Sequence, residues 1–447
     1  MTHDDILRAI ETILRDKLNH AHIDAFAPTA RLNEDLYLDS VLILEIMLAL
    51  ELDHGVVLPE EAISRQDLDT VDDLARLFAE PAAASDRPAG PARDLSFARA
   101  EREAADRVGV HGEDYIDIKV HCFVSGVCHA VKQKSLDHRP FFFGVWDAGF
   151  SVDDRWRLAY HTPEISHDFF RDWFERLYGP KVRQWYRPDA SKEDNLSTML
   201  ELLRGKKPSE FLMVMLDLFH LPERENKFNQ NPFPHYLMLE ETEDPDVWMV
   251  LDPDFRWEGR IEKAKVVNAI MQPTVGGGFI FDAAEVHAPS PIALRDYFLA
   301  CFHQDENLLT SAARDTVRAH VEGRSGVTLA DLPAALRELP VISIRKYALE
   351  HGFAFFWRSL QLSNAEFDVI CDDIEALIQE FKALHYAVMK LGQTGDEALT
   401  QPVFDKLDAL DALERDLKRR LAQTYRVWCD SRGLLHAPCH DIEEAVA

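Results

Sequence analysis

The chain has 447 residues and carries 78 Asp and Glu against 49 Lys and Arg, a net charge of -29. That sign excludes nucleic acid as a partner, and the length allows two or three domains. A hydrophobic content of 47% provides for buried cores, while no apolar run reaches a membrane span and the acidic Met1-Thr2-His3-Asp4-Asp5 is no signal peptide. Six scattered cysteines make no disulfide framework, so the expected location is cytoplasmic and reducing.

Residues 1–80 hold 18 acidic against 6 basic side chains, the densest acidity in the chain. Within them Leu32-Asn33-Glu34-Asp35-Leu36-Tyr37-Leu38-Asp39-Ser40-Val41 reads as an acidic turn ending in a serine. A strongly amphipathic helix is expected to start there, with Val41, Leu44, Met47 and Leu48 at helical spacing as its buried stripe. Alone, Asp-Ser before a helix is an N-cap. Its hydroxyl also lies near the positive end of the helix dipole, which tolerates a phosphodiester. A last helix is expected to open at Thr70-Val71-Asp72-Asp73-Leu74.

On these motifs residues 4–80 resemble an acyl carrier protein. The resemblance implies that Ser40 carries a 4′-phosphopantetheine arm and that a phosphopantetheinyl transferase and an acyl-loading ligase or synthetase are partners. Val41 stands where leucine is commoner. The acidity of this segment suits electrostatic steering to an enzyme.

Residues 81–94, rich in Pro and Ala, read as a linker that lets the carrier swing, followed by a short charged helix from about Leu95 to Arg107. An extended entry then leads to a helix starting near Cys122. Phe141 to Phe150 reads as a buried aromatic turn. Helices are expected over 165–178 and 193–204, and strands over 211–219, 236–239 and 247–251. Gly276-Gly277-Gly278 marks a loop and lacks the following Lys-Ser or Lys-Thr of a phosphate loop. Beyond Pro289, residues 291–321, 329–338, 343–358, 364–392 and 402–430 show helical spacing.

Cys122 is the candidate nucleophile, because a helix N-terminus favours a thiolate. His235 is the candidate base, delivered by a loop to the start of a strand, and Asp252 ends the next strand. A hairpin centred between residues 243 and 244 places His235 opposite Asp252, where the acid fixes the imidazole and leaves its other nitrogen for the thiol. The cluster His121, Cys122, Cys128 and His129 does not converge on a helix as four metal ligands, so no metal is expected. Cys128 is the weaker nucleophile, since it falls within the helix. Trp146, Trp156, Trp173, Trp185 and Trp257 read as core or pocket wall.

The order Cys…His…Asp resembles papain-like thiol enzymes. Residues 118–289 are more closely similar to the N-terminal domain of the butirosin biosynthesis protein H family of acyltransferases, through His121-Cys122, Phe142-Phe143-Gly144 to Phe150, His235-Tyr236-Leu237 and Leu251-Asp252-Pro253. Papain-like enzymes place a glutamine before the cysteine to complete the oxyanion hole, but Glu113-Asp114-Tyr115-Ile116-Asp117 contains none. The backbone N–H of Cys122, Lys119 and His121 are the substitutes considered.

The expected architecture is α+β: a four-helix acyl carrier bundle (1–80), the linker (81–94), a papain-like, C39-like domain with an antiparallel sheet (95–289) and a helical C-terminal domain (290–447). The resemblances imply acyl transfer from a phosphopantetheine thioester to a small-molecule amine through an acyl-cysteine, in secondary-metabolite biosynthesis. A thioesterase or cysteine peptidase of the same fold, and a non-catalytic carrier scaffold, are the alternatives.

Overall fold

A six-stranded antiparallel sheet and a mainly helical remainder make the chain α+β in a computed structural model. It describes residues 1–20, 22–33, 35–38, 40–56, 68–79, 120–221 and 231–435. The expected linker, the helix over 95–107, Lys119 and the glutamine-less stretch 113–117 lie outside the described residues.

The N-terminal unit contains α1 (His3–Thr12), α2 (Ser40–His54) and α3 (Val71–Ala79). A fourth helix has no counterpart among the described residues, which do not include 57–67. Threonine starts two of these helices for the same reason. The Thr70 hydroxyl accepts the Asp73 N–H at 3.2 Å while the Asp73 carboxylate accepts the Thr70 N–H at 3.0 Å, and Thr2 and Asp5 do likewise. The one-sided stripe expected for α2 needs correction. Leu44, Met47 and Leu48 are buried, but so are Leu42, Ile46, Ala49 and Leu50. An isolated bundle would leave one face of this helix in water; here Tyr386 and Met389 from the far end of the chain join its core.

Next come α4 (Cys122–Gln133), a buried 3-10 turn over Arg139–Gly144, the two-stranded β1 (Ser151–Val152) and β2 (Leu158–Ala159), and α5 (Asp168–Tyr178). The large sheet uses β3 (Arg183–Gln184), β4 (Glu210–Asp217), β5 (Pro234–Glu241), β6 (Val247–Asp252), β7 (Trp257–Glu262) and β8 (Gly278–Asp282), in the order β3-β8-β4-β5-β6-β7. Helix α6 (Lys192–Gly205) precedes β4, and α7 (Lys263–Ile270) precedes β8.

Side-chain alternation explains the unbroken apolar run of β4. Met213 and Met215 point into one core with Phe123 and Val127 of α4. Leu212, Val214 and Leu216 point into another with Met199 of α6 and Val266 of α7. Both faces of the central strands are covered, so no polar face shows in the sequence. The glycine run has a packing reason at its last member: a Cβ on Gly278 would overlap the indole of Trp185.

The remainder is helical: α8 (Pro291–Cys301), α9 (Leu308–Glu322), α10 (Ala348–Leu360), α11 (Asn364–Thr394) and α12 (Thr400–Ser431), with short helical turns between α9 and α10. The run expected over 291–321 is broken at residues 302–307. No described helix is long and apolar enough to cross a membrane.

The helices share one core with α4, α5 and the aromatic turn. An ion quartet crosses the same boundary. Lys346 reaches Asp147 and Glu414 at 2.7 Å each, and Lys418 reaches Asp147 at 2.7 Å and Glu414 at 3.2 Å. All four side chains are at most 4% exposed. Two cations and two anions cancel, which is what permits their burial. Burial alone would raise the Asp147 carboxyl, but the two lysines more than reverse this and hold it below the usual range.

Lys418→Met leaves a net negative charge in this core and should cost about 3–5 kcal/mol, read from urea denaturation. A carboxyl depressed in the fold contributes stability above its unfolded pKa of about 4, lost as the pH falls through the folded value. Removing Lys418 raises that folded value, so acid unfolding monitored by circular dichroism should begin at a higher pH than in the parent.

Candidate active site

Two carboxylates at the end of β6 organise the site. Asp254 Oδ1 accepts the N–H groups of Val120 and His121 at 3.2 Å each and the Ser125 hydroxyl at 2.6 Å. These bonds clamp the start of α4, with His121 as its N-cap and Cys122 as its first residue. First-turn N–H groups have no acceptor within a helix. Asp254 takes those just before Cys122 and leaves the Cys122 N–H at the helix head, beside the sulfur. Burial raises the Asp254 carboxyl, against His235 and the Ser125 hydrogen bond.

Asp252 serves the histidine. Its Oδ1 lies 3.0 Å from His235 Nε2 and also accepts the Phe255 N–H at 3.2 Å. The expected register is off by two. Met238 pairs with Leu251 and Glu241 with Trp248, so Asp252 falls opposite Leu237 and meets His235 diagonally. The difference arises because β5 continues through Glu240 and Glu241, whose carboxylate meets Lys263 at 2.9 Å. The turn therefore occupies 242–247, closed by the Val247 N–H on the Asp244 carbonyl at 3.2 Å. A slip of two keeps the same face, which is why the pair survives it.

Cys122 and His235 line the same cleft, close enough for the Cys122 charge to act on the imidazole. With Nε2 on Asp252, Nδ1 is the nitrogen for the sulfur. Burial opposes a charge on His235, but Asp252 and Cys122 outweigh it and hold the imidazolium well above its ordinary range. Phe255 stands edge-on to this ring at 5.2 Å. Cys122 is half-buried and lines a cleft of about 670 Å³ open to solvent, with His235, Tyr160, His167 and Arg345.

Arg345 was not foreseen from the sequence. It comes from the helical region and is buried, its Nη1 donating to the Ala148 and Gly149 carbonyls at 3.2 and 3.1 Å. Burial lowers its guanidinium to about 10, against the attraction of Cys122, Tyr160, Glu338 and Asp254. It remains a cation at neutral pH. Burial, helped by Arg345 and His167, keeps His121 well below its ordinary range, and burial with His161 and Arg345 brings His167 to about 3. Both are neutral, so Arg345 and the His235 imidazolium are the positive charges beside the sulfur among the described cleft residues. Tyr160 donates its N–H to Glu338 at 2.7 Å and its hydroxyl to the Pro234 carbonyl at 3.3 Å.

Of the oxyanion substitutes, the His121 ring is used as a cap, accepting the Val124 N–H at 3.5 Å. Cys128 is fully buried, its sulfur 3.9 Å from the His138 carbonyl, and does not line the cleft. Trp146 and Trp185 are core residues. Asp254 and Arg345 had faint signals: a second acid two residues after Asp252, and a basic pair, Arg345-Lys346, inside an apolar stretch.

Ser40 is the first residue of α2, preceded by the buried Leu36 and Leu38. A helix head on an anchored loop fits a phosphodiester.

The DUF6005 N-terminal domain model matches residues 117–286 and the DUF6005 C-terminal domain model residues 292–440. Petrobactin synthase of Bacillus anthracis is 40% identical over 317 residues, 71% of this chain and 97% of that protein. The acyl carrier protein AsbD of the same organism is 29% identical over 80 residues, 18% of this chain and 88% of AsbD, in the N-terminal region. A core shared by both matched segments and a cleft drawing on each belong with that pattern: the chain carries both DUF6005 domains and belongs to the same family as the petrobactin synthase to which it is similar.

Proposed function

We propose that the chain is a carrier-fused acyltransferase of siderophore-type secondary metabolism, moving an acyl group from a thioester to a small-molecule amine through an acyl-cysteine. One observation carries the reading. Cys122 and His235 line one solvent-open cleft and the fully buried Asp252 carboxylate stands 3.0 Å from the imidazole, in a chain whose N-terminal region is similar to an acyl carrier protein. The names of the two relatives agree with it, and a papain-like, C39-like fold for residues 95–289 is part of the same proposal. Ser40 is the attachment point for 4′-phosphopantetheine, which presents the acyl group as a thioester.

The Cys122 proton already rests on His235 as a thiolate–imidazolium pair, and the thiolate sulfur attacks the thioester carbonyl. Charge develops on the carbonyl oxygen, which the Cys122 N–H at the helix head and the Arg345 guanidinium are placed to stabilise. As the C–S bond of the thioester breaks, His235 returns its proton to the leaving thiol, and an acyl-cysteine remains. The amine then attacks this acyl group, His235 accepts its proton, and the Cys122 thiolate is restored with release of an amide. Asp252 holds the ring and stabilises its charged form. Water in place of the amine gives the hydrolytic alternative. The scaffold reading required the His235–Asp252 contact to be missing, and the two atoms lie 3.0 Å apart.

In the wild-type chain loaded at Ser40, intact-protein and peptide mass spectrometry should find the acyl group on Cys122, and adding amines should yield an amide. Cys122→Ala should keep the group on Ser40 indefinitely; transfer at the normal rate by that variant would sink the proposal. Hydrolysis as the sole outcome across an amine panel would favour the thioesterase.

Asp252→Asn should lower kcat/KM by roughly 10²–10⁴. It also removes a cause of the raised His235 pKa, so the imidazolium is lost at lower pH. The alkaline limb of the pH–rate profile should move down accordingly. Arg345→Gln should cost about 10²–10³ in kcat with little change in KM, as expected for a group acting on transition-state charge.

A further inference from the structure

The N-terminal unit makes ionic contact with the helical region. On α2, Glu51 sits between two side chains of α11. Its Oε1 meets the Lys390 ammonium at 2.6 Å and its Oε2 accepts the Tyr386 hydroxyl. Tyr386 and Met389 are buried in the core of the N-terminal unit. Glu45, six residues earlier, is raised by burial, and the charge of Arg337 works against that rise. Arg337 immediately precedes Glu338, whose carboxylate holds the Tyr160 N–H at the wall of the Cys122 cleft.

These contacts give α2 a direction. Followed backwards from the Glu51 contacts, it reaches Glu45, which feels the charge of Arg337, the residue before Glu338 at the cleft wall. Ser40 lies five residues further on, about 7.5 Å at 1.5 Å per residue. The charges match as well: the most acidic segment of the chain meets a lysine and an arginine.

We infer that this is the pose of acyl delivery. The carrier unit docks through Glu45 and Glu51 on the face formed by Arg337, Tyr386 and Lys390, and Ser40 supplies the Cys122 of its own chain. The inference rests on the function proposed above. A tether alone raises the local concentration of a donor to about the millimolar range. Docking adds orientation, which lowers the barrier further.

The test uses the full chain, with acetyl- or benzoyl-pantetheine installed at Ser40 by a phosphopantetheinyl transferase. Single-turnover appearance of the acyl group on Cys122 is followed by quenched mass spectrometry. Lys390→Glu should slow transfer roughly tenfold, as expected for losing one charge-assisted hydrogen bond. Glu51→Lys together with Lys390→Glu should restore most of the rate, which a misfolded variant could not do. Mixing loaded Cys122→Ala with unloaded Ser40→Ala should give transfer at least about tenfold slower than the intact chain at micromolar protein. A Lys390→Glu rate equal to wild type, a failed restoration, or a mixture as fast as the intact chain would overturn the docking. Failure of wild type to acylate Cys122 with either probe would instead remove the proposed function, and the docking with it.

Discussion

The site depends on two buried carboxylates two residues apart at the end of one strand. Asp254 fixes where α4 begins, and therefore where the sulfur of Cys122 stands. Asp252 fixes the ring of His235. Because both leave the same strand end, the helix and the histidine strand are referenced to one rigid point. A buried carboxylate has a strong demand for donors, and each of these two meets it by gripping a different part of the cleft. Proline at 253 restricts the backbone between them.

The cleft is also a joint product of the two matched regions. Arg345 enters from the helical side, and the next residue, Lys346, is bound into the ion quartet with Asp147. Asp147 in turn belongs to the aromatic segment that presents the Ala148 and Gly149 carbonyls to Arg345. One short loop and one short helical turn are thus tied together twice, once by a neutralised cluster and once by a cation on two carbonyls. That arrangement holds the buried Arg345 cation at the wall of the cleft.

Much of this was legible in the sequence where the signal is local. A histidine at a strand start and an acid at the next strand end needed only strand alternation to be placed on one face, and the cysteine was legible as the start of a helix. The hairpin register was misjudged because Glu241 looks like a turn residue, whereas it stays in the strand with its carboxylate on the distant Lys263. Likewise α2 looked one-sided because its second partner, around Tyr386 and Met389, is more than 300 residues away. Arg345 showed only as half of a basic pair in an apolar stretch, because nothing in a helical stretch announces that a residue faces a cleft built by another part of the chain.

The apolar core running unbroken from α4 and the aromatic turn into α10, α11 and α12 has a bearing on how the gene can be cut. A shortened product ending near residue 289 would expose the rings of Phe143 and Trp146 and strand Asp147 without its lysines. Such a fragment would tend to precipitate as it leaves the ribosome. The two matched segments thus depend on each other for burial, and the length of chain needed for a soluble product runs through both.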